Sequence, residues 1–129
     1  MATPRLRSPL SRAIGLGSAK QGAEHWWAQR VSALALVPLA LWFVIAVIEL
    51  AGADRALFVA WVRQPLPAVL LVLLLIATFY HGALGLQVVI EDYVENEARR
   101  FGLVIAVRFL AIVFVVRGIL AVLKLSLGA

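Results

Sequence analysis

His81 is the residue of this sequence that could most directly do chemistry inside a membrane. It lies in a long apolar stretch, with Ala77 and Gly85 at helical spacing and Gly82 directly after it. An ionisable side chain in such a stretch is costly and therefore points to a function. The small neighbours leave room for a flat group such as a haem, with the imidazole as an axial ligand. The same pattern also suits a hydrogen-bonding clasp between packed helices or a proton relay, and spacing alone leaves all three open.

Tyr93 and Asp92 end the same apolar stretch. On a continuous helix Tyr93 would lie about 18 Å beyond His81, near the membrane surface. A tyrosine there is ordinarily an interfacial anchor. Its hydroxyl can also donate a hydrogen bond to a carbonyl, as a quinone head group requires, while the neighbouring carboxylate orients it.

His25 and Arg30 precede the first apolar stretch, beside a tryptophan pair typical of membrane interfaces. Arg30 could snorkel to lipid phosphate or reach a buried anion such as a haem propionate. His25 and His81 lie at different depths, so they are not expected to ligate one haem from its two faces. If His81 binds a haem, the second axial ligand must come from another subunit.

Three apolar stretches predict an all-α membrane protein with three transmembrane helices. About 20 apolar residues are needed to cross roughly 30 Å of hydrocarbon. We expect helices at about 28–50, 66–92 and 102–125, within a membrane anchor domain over 25–129 that follows a basic arm over 1–24. The chain is 64% hydrophobic and 15% charged, which excludes an ordinary soluble domain.

The charges favour a membrane partner over a nucleic acid, because the basic residues flank the apolar stretches. Arg108 and Arg117, inside the third stretch, are each expected to snorkel to the nearer interface. The chain has no cysteine, which excludes cysteine-ligated iron–sulfur clusters from it.

The distribution of bases predicts an N-terminus in the cytoplasm of a bacterium, with the matrix side of the mitochondrial inner membrane as the alternative. Residues 1–23 also have the composition of a transit peptide, and we interpret them as a bacterial cytoplasmic arm. Three basic residues lie near the ends of the spans on the other side of the membrane, against seven on the predicted cytoplasmic side. These seven are Arg5, Arg7, Arg12, Lys20, Arg30, Arg99 and Arg100.

Two stretches resemble a known family. The run His25-Trp-Trp-Ala-Gln-Arg30 resembles the start of the first helix in succinate dehydrogenase hydrophobic membrane anchor subunits. The run from Tyr80 to Val94, with eleven residues between its histidine and its second tyrosine, resembles the second helix of the smaller of the two anchors in alphaproteobacteria and mitochondria. The resemblance extends from about Gly22 through the third stretch.

The resemblance implies half of a two-subunit, haem-binding anchor bundle in the inner membrane. The partners would be a second anchor subunit of the cytochrome b556 type, an iron–sulfur subunit, a flavoprotein subunit and membrane lipid. His81 would be one axial ligand of the shared haem b, and Arg30 with His25 would lie near its propionates. Tyr93 and Asp92 would bind ubiquinone.

This resemblance also implies a non-catalytic subunit of succinate:quinone oxidoreductase, with no active site for succinate in this chain. Electrons from succinate would reach ubiquinone through cofactors that other subunits hold. Two alternatives stay open, namely a fumarate reductase anchor and a cofactor-free membrane scaffold in which His81 is only a clasp. A b-type haem spectrum separates the scaffold from the redox subunits.

Overall fold

Helices form all of the regular structure in the described residues of the chain. The computed structural model describes the backbone of residues 17–128 and the side chains of residues 22–128. Residues 1–16, which make up most of the predicted basic arm, lie outside the described residues. The helices are α1 (Gly17–Glu49), α2 (Arg55–Val62), α3 (Pro65–Tyr93) and α4 (Glu97–Leu127).

Three of the helices are long and apolar enough to span a membrane: α1 from Gly22 onward, α3 and α4. The 29 residues of α3 measure about 44 Å, which exceeds the hydrocarbon and reaches both headgroup regions. The predicted all-α fold with three transmembrane helices is therefore confirmed.

The first helix begins well before the predicted start near residue 28. It already includes Gly17, so His25, which lay just before the predicted helix, is helical as Arg30 is. The polar segment before the span contains Ala19, Lys20 and Gln21, which have high helix propensity. Hydropathy detects only the portion of a helix that lipid covers, so it does not detect this extension.

The first connection contains a short helix that the sequence analysis did not predict. Asp54 caps α2, and its Oδ1 accepts a hydrogen bond of 2.8 Å from the Leu57 amide. Trp61 of α2 stacks on Trp42 of α1, with ring centroids 5.9 Å apart. The aromatic contact fixes α2 against the end of the first span.

Sequence signals set the bounds of the next two helices. Pro65 occupies the first turn of α3, where a missing amide hydrogen costs nothing. Asn96 caps α4 by accepting a hydrogen bond of 3.0 Å from the Arg99 amide. Gly128 follows α4 with φ 72°, the left-handed conformation that glycine adopts readily.

The central element is α3, which packs against both α1 and α4, whereas α1 and α4 do not meet within the described residues. At the α3–α4 contact Phe79 stacks on Phe114 with centroids 5.8 Å apart. Gly118 of α4 lets Leu75 approach closely, since a Cβ there would lie 2.9 Å from Leu75 Cδ1. The three spans thus form an open layer, and large apolar side chains are exposed along all of them.

Candidate functional site

His81 lies at the contact between α1 and α3, where its Nδ1 is 2.9 Å from Ser32 Oγ. Ser32 is buried, with 7% of its surface exposed. Its hydroxyl also donates to the carbonyl of Gln29, at 3.0 Å. While its one proton is donated to Gln29, Ser32 Oγ can accept a second bond from an Nδ1–H of His81. In that neutral tautomer Nε2 keeps its lone pair and can ligate a metal.

The surface of α3 beside His81 is open. Apart from the adjoining residues and the backbone of its own helix, a Cβ built on Gly82 or Gly85 would have nothing within 4 Å. Thr78, one turn before Gly82, is exposed as well. Within the described residues, the surface of α3 beside the imidazole is therefore uncovered. The described residues contain no group of three or more His, Cys, Asp or Glu side chains that could hold a metal ion.

His25 and Ser32 lie seven residues apart on one face of α1, so His25 is about 10 Å along the axis from the level of His81. This spacing agrees with the prediction that the two histidines do not ligate one haem. The Nε2 of His25 is shielded from solvent and has no hydrogen-bond partner among the described residues. Arg30 is exposed, and its guanidinium carbon lies 5.2 Å from the ring centroid of Trp26.

Tyr93 is the last residue of α3, and 83% of its surface is exposed. It lies on the same unbroken helix as His81, so the predicted separation of about 18 Å holds along the axis. Asp92 is exposed too, and within the described residues neither side chain forms a hydrogen bond. The carboxylate that joins a hydrogen-bond network is that of the preceding residue, Glu91.

A chain of polar side chains links α4 to the end of α3. Arg108 donates to Gln87 Oε1 at 2.7 Å, and Gln87 Nε2 donates to Glu91 Oε1 at 2.7 Å. The sequence predicted that Arg108 would snorkel to the nearer interface, and it indicated no partner for this side chain. Gln87 and Glu91 are visible as an i, i+4 pair, but the Arg108 contact depends on the register between two helices, which no short pattern encodes.

Known proteins resemble this chain over most of its length. The family model of the succinate dehydrogenase/fumarate reductase transmembrane subunit matches residues 4–115. A succinate dehydrogenase hydrophobic membrane anchor subunit of Rickettsia bellii is 35% identical over 116 residues, which is 90% of this chain and 93% of the relative. The protein of that name from Paracoccus denitrificans is 33% identical over 125 residues, which is 97% of this chain and 96% of the relative. No solved structure matches the chain.

Proposed function

The chain belongs to the succinate dehydrogenase/fumarate reductase transmembrane subunits, among the membrane anchors of succinate dehydrogenase, and on that premise we propose that His81 is one axial ligand of a haem b. The observation that carries the proposal is the hydrogen bond between Ser32 and Nδ1 of His81. A histidine that ligates a metal commonly donates its other ring N–H to a neighbour, which fixes the tautomer and the ring orientation. The bound haem supplies a one-electron carrier.

The haem is shared with a second anchor chain in this proposal, because His25, the other histidine of the sequence, lies about 10 Å along the axis from the level of His81. Arg30 pairs with a haem propionate, and its exposed guanidinium, which stacks on Trp26, is available for a bidentate contact. His25 has a weaker claim to that contact, because its Nε2 is enclosed and its ring would have to turn to meet an anion.

Tyr93 and Asp92 form one side of the quinone site in this proposal. The exposure of Tyr93 at the end of a transmembrane helix supports the assignment, because a quinone diffuses in lipid and has to meet a hydrogen-bond donor near the aqueous face. The phenol donates to a quinone carbonyl, and the carboxylate of Asp92 adds negative charge beside it. Reduction of a quinone takes two electrons and two protons, and the electrons come from the iron–sulfur and flavoprotein subunits.

We place the complex in the bacterial cytoplasmic membrane, with the N-terminus and the α3–α4 connection in the cytoplasm. The test starts from the complex purified in mild detergent through a tag on this chain. Its subunits are identified, and a reduced-minus-oxidised spectrum is recorded. The wild type is expected to carry the partner subunits and a b-type haem.

His81→Ala is expected to lower the haem content or change the spin state. His25→Ala is the matched control and is expected to keep the low-spin spectrum of a haem with two axial ligands. A wild-type spectrum and haem content in His81→Ala would overturn the axial-ligand role. A wild-type complex that assembles without haem would favour the cofactor-free scaffold.

A further inference from the structure

A groove of about 500 Å³ lies between α3 and α4, on the outside of their contact. Its walls are largely apolar and include Ala83 on α3 and Ala111 on α4. Gln87 and Arg108 also line it and are hydrogen-bonded to each other, at the end of the groove that lies toward the connection between the two helices. The groove therefore has one polar end and one apolar end.

Arg108 at the polar end has no acidic partner. All seven Asp and Glu residues of the chain lie within the residues that the structure describes. Among those residues a single ion pair forms within 4.0 Å, between Arg100 and Glu97. The guanidinium of Arg108, inside a membrane-spanning helix, donates to the neutral amide of Gln87 and reaches the carboxylate of Glu91 only through that amide, without a direct ion pair. Such a charge is costly in hydrocarbon unless an anion or the interface meets it.

The direction of α4 brings this guanidinium toward the interface. Helical side chains tilt toward the N-terminus of their helix. The N-terminus of α4 is at Glu97, by the connection to α3, so Arg108 points to the membrane surface on that side. It thus faces the headgroups of one leaflet while its backbone stays in hydrocarbon.

We propose that the groove binds one anionic phospholipid of this leaflet, with the phosphate at Arg108 and an acyl chain along the apolar walls. A guanidinium matches the geometry of phosphate oxygens and pairs with them through two donors. Arg108 and Val116, the farthest groove residue on α4, are about 12 Å apart along the helix axis. This length is close to the half-thickness of the hydrocarbon, about 15 Å, which one acyl chain fills.

The position of the groove on α3 favours a lipid over a partner subunit. Gln87 follows Gly85 by two residues, or about 200° around the helix, so the groove and the open glycine surface lie on opposite sides of α3. The proposed haem and its second anchor subunit occupy the glycine side. This step rests on the proposed function, whereas the charge argument at Arg108 does not.

The experiment counts phospholipids on the intact, purified complex by native mass spectrometry, after exchange into detergent with phosphatidylglycerol or phosphatidylcholine. The wild type is expected to retain one phosphatidylglycerol and to retain phosphatidylcholine poorly. Arg108→Gln is expected to lower phosphatidylglycerol affinity by about tenfold or more, because a charged hydrogen-bond donor is lost. Arg117→Gln, which neutralises an arginine of α4 that does not line the groove, is the matched control and is expected to keep the lipid.

A second variant blocks the apolar end without touching the charge. Ala111→Leu fills the groove and is expected to expel the lipid at an unchanged subunit ratio, so it also decides the matter if Arg108→Gln fails to assemble. The proposal would be overturned if Ala111→Leu retained the lipid, or if Arg117→Gln lost as much of it as Arg108→Gln. It would also be overturned if the wild type retained the two lipids equally well. A photo-crosslinker at Ala83 that captures a protein subunit in place of lipid would also overturn it. The lipid count is independent of the haem spectrum, so the proposed function can fail without affecting this test.

Discussion

Ser32 of α1 and His81 of α3 are joined by a hydrogen bond of 2.9 Å across 49 residues of chain. The bond holds the first two spans in contact, and it also orients the imidazole. A packing role and a ligand role for His81 are therefore compatible, because the clasp uses Nδ1 and a metal would use Nε2. The two interpretations differ in what the loss of the serine hydroxyl does to the haem.

Ser32→Ala tests this difference. Outer partners of a metal ligand typically contribute 10–100-fold in affinity, so we expect lower haem occupancy and a shifted reduction potential in the variant. Haem per complex and a redox titration measure both quantities. Ser126→Ala, near the far end of α4, is the control and should leave them unchanged. If His81 is only a clasp, Ser32→Ala will lower the thermal stability while the haem properties stay those of the wild type.

A bulky side chain at Gly118 should separate α3 from α4. A Cβ there would already lie 2.9 Å from Leu75 Cδ1, and overpacking of a close contact typically costs about 1–3 kcal/mol. We expect Gly118→Leu to lower the melting temperature of the purified complex. Gly102→Leu is the matched control, because it gains the same helix propensity at a position where nothing lies within 4 Å. Adding Leu75→Ala to Gly118→Leu should restore part of the lost melting temperature. Equal melting temperatures for Gly118→Leu and Gly102→Leu would refute the steric argument.

The sequence was enough to predict the three spans, because hydropathy measures a property of some 20 consecutive residues. It was insufficient for α2, because eight residues, apolar except for Arg55, are too few to give the hydropathy signal of a span. His81 stood out because an ionisable group inside a span is rare. Ser32 did not stand out, because a neutral hydroxyl in an apolar helix is not rare enough to indicate a function. Its partner is set by the packing of α1 on α3, which is a tertiary contact.

The topology predicts opposite behaviour of reporters at two positions. Seven bases flank the spans on the N-terminal side against three on the other, and the excess is expected in the cytoplasm. Alkaline phosphatase, which is active only after export, should be active when fused after Ala129 and inactive when fused after Glu95. A green fluorescent protein should fluoresce at Glu95 alone. The reverse pattern would invert the orientation and move Tyr93 to the periplasmic side.

Tyr93→Phe separates a quinone-binding tyrosine from an interfacial anchor. The variant keeps the ring and removes the hydroxyl, and a lost neutral hydrogen bond costs about 0.5–1.5 kcal/mol, or roughly two- to twelvefold in rate or affinity. We expect quinone reduction to fall by that factor. Succinate oxidation with an artificial acceptor should stay normal, because that acceptor takes electrons from the other subunits.

Tyr93→Leu sharpens the comparison, because it removes the aromatic ring as well. If Tyr93 is only an anchor, Phe should substitute for it fully in both assays, and Leu should reduce the stability or assembly of the complex instead. The exposure of Tyr93, at 83%, means that neither variant opens a cavity within this chain. A wild-type rate and quinone affinity in Tyr93→Phe, in complexes of normal haem content, would therefore exclude the hydrogen bond and with it the role of this residue in quinone binding.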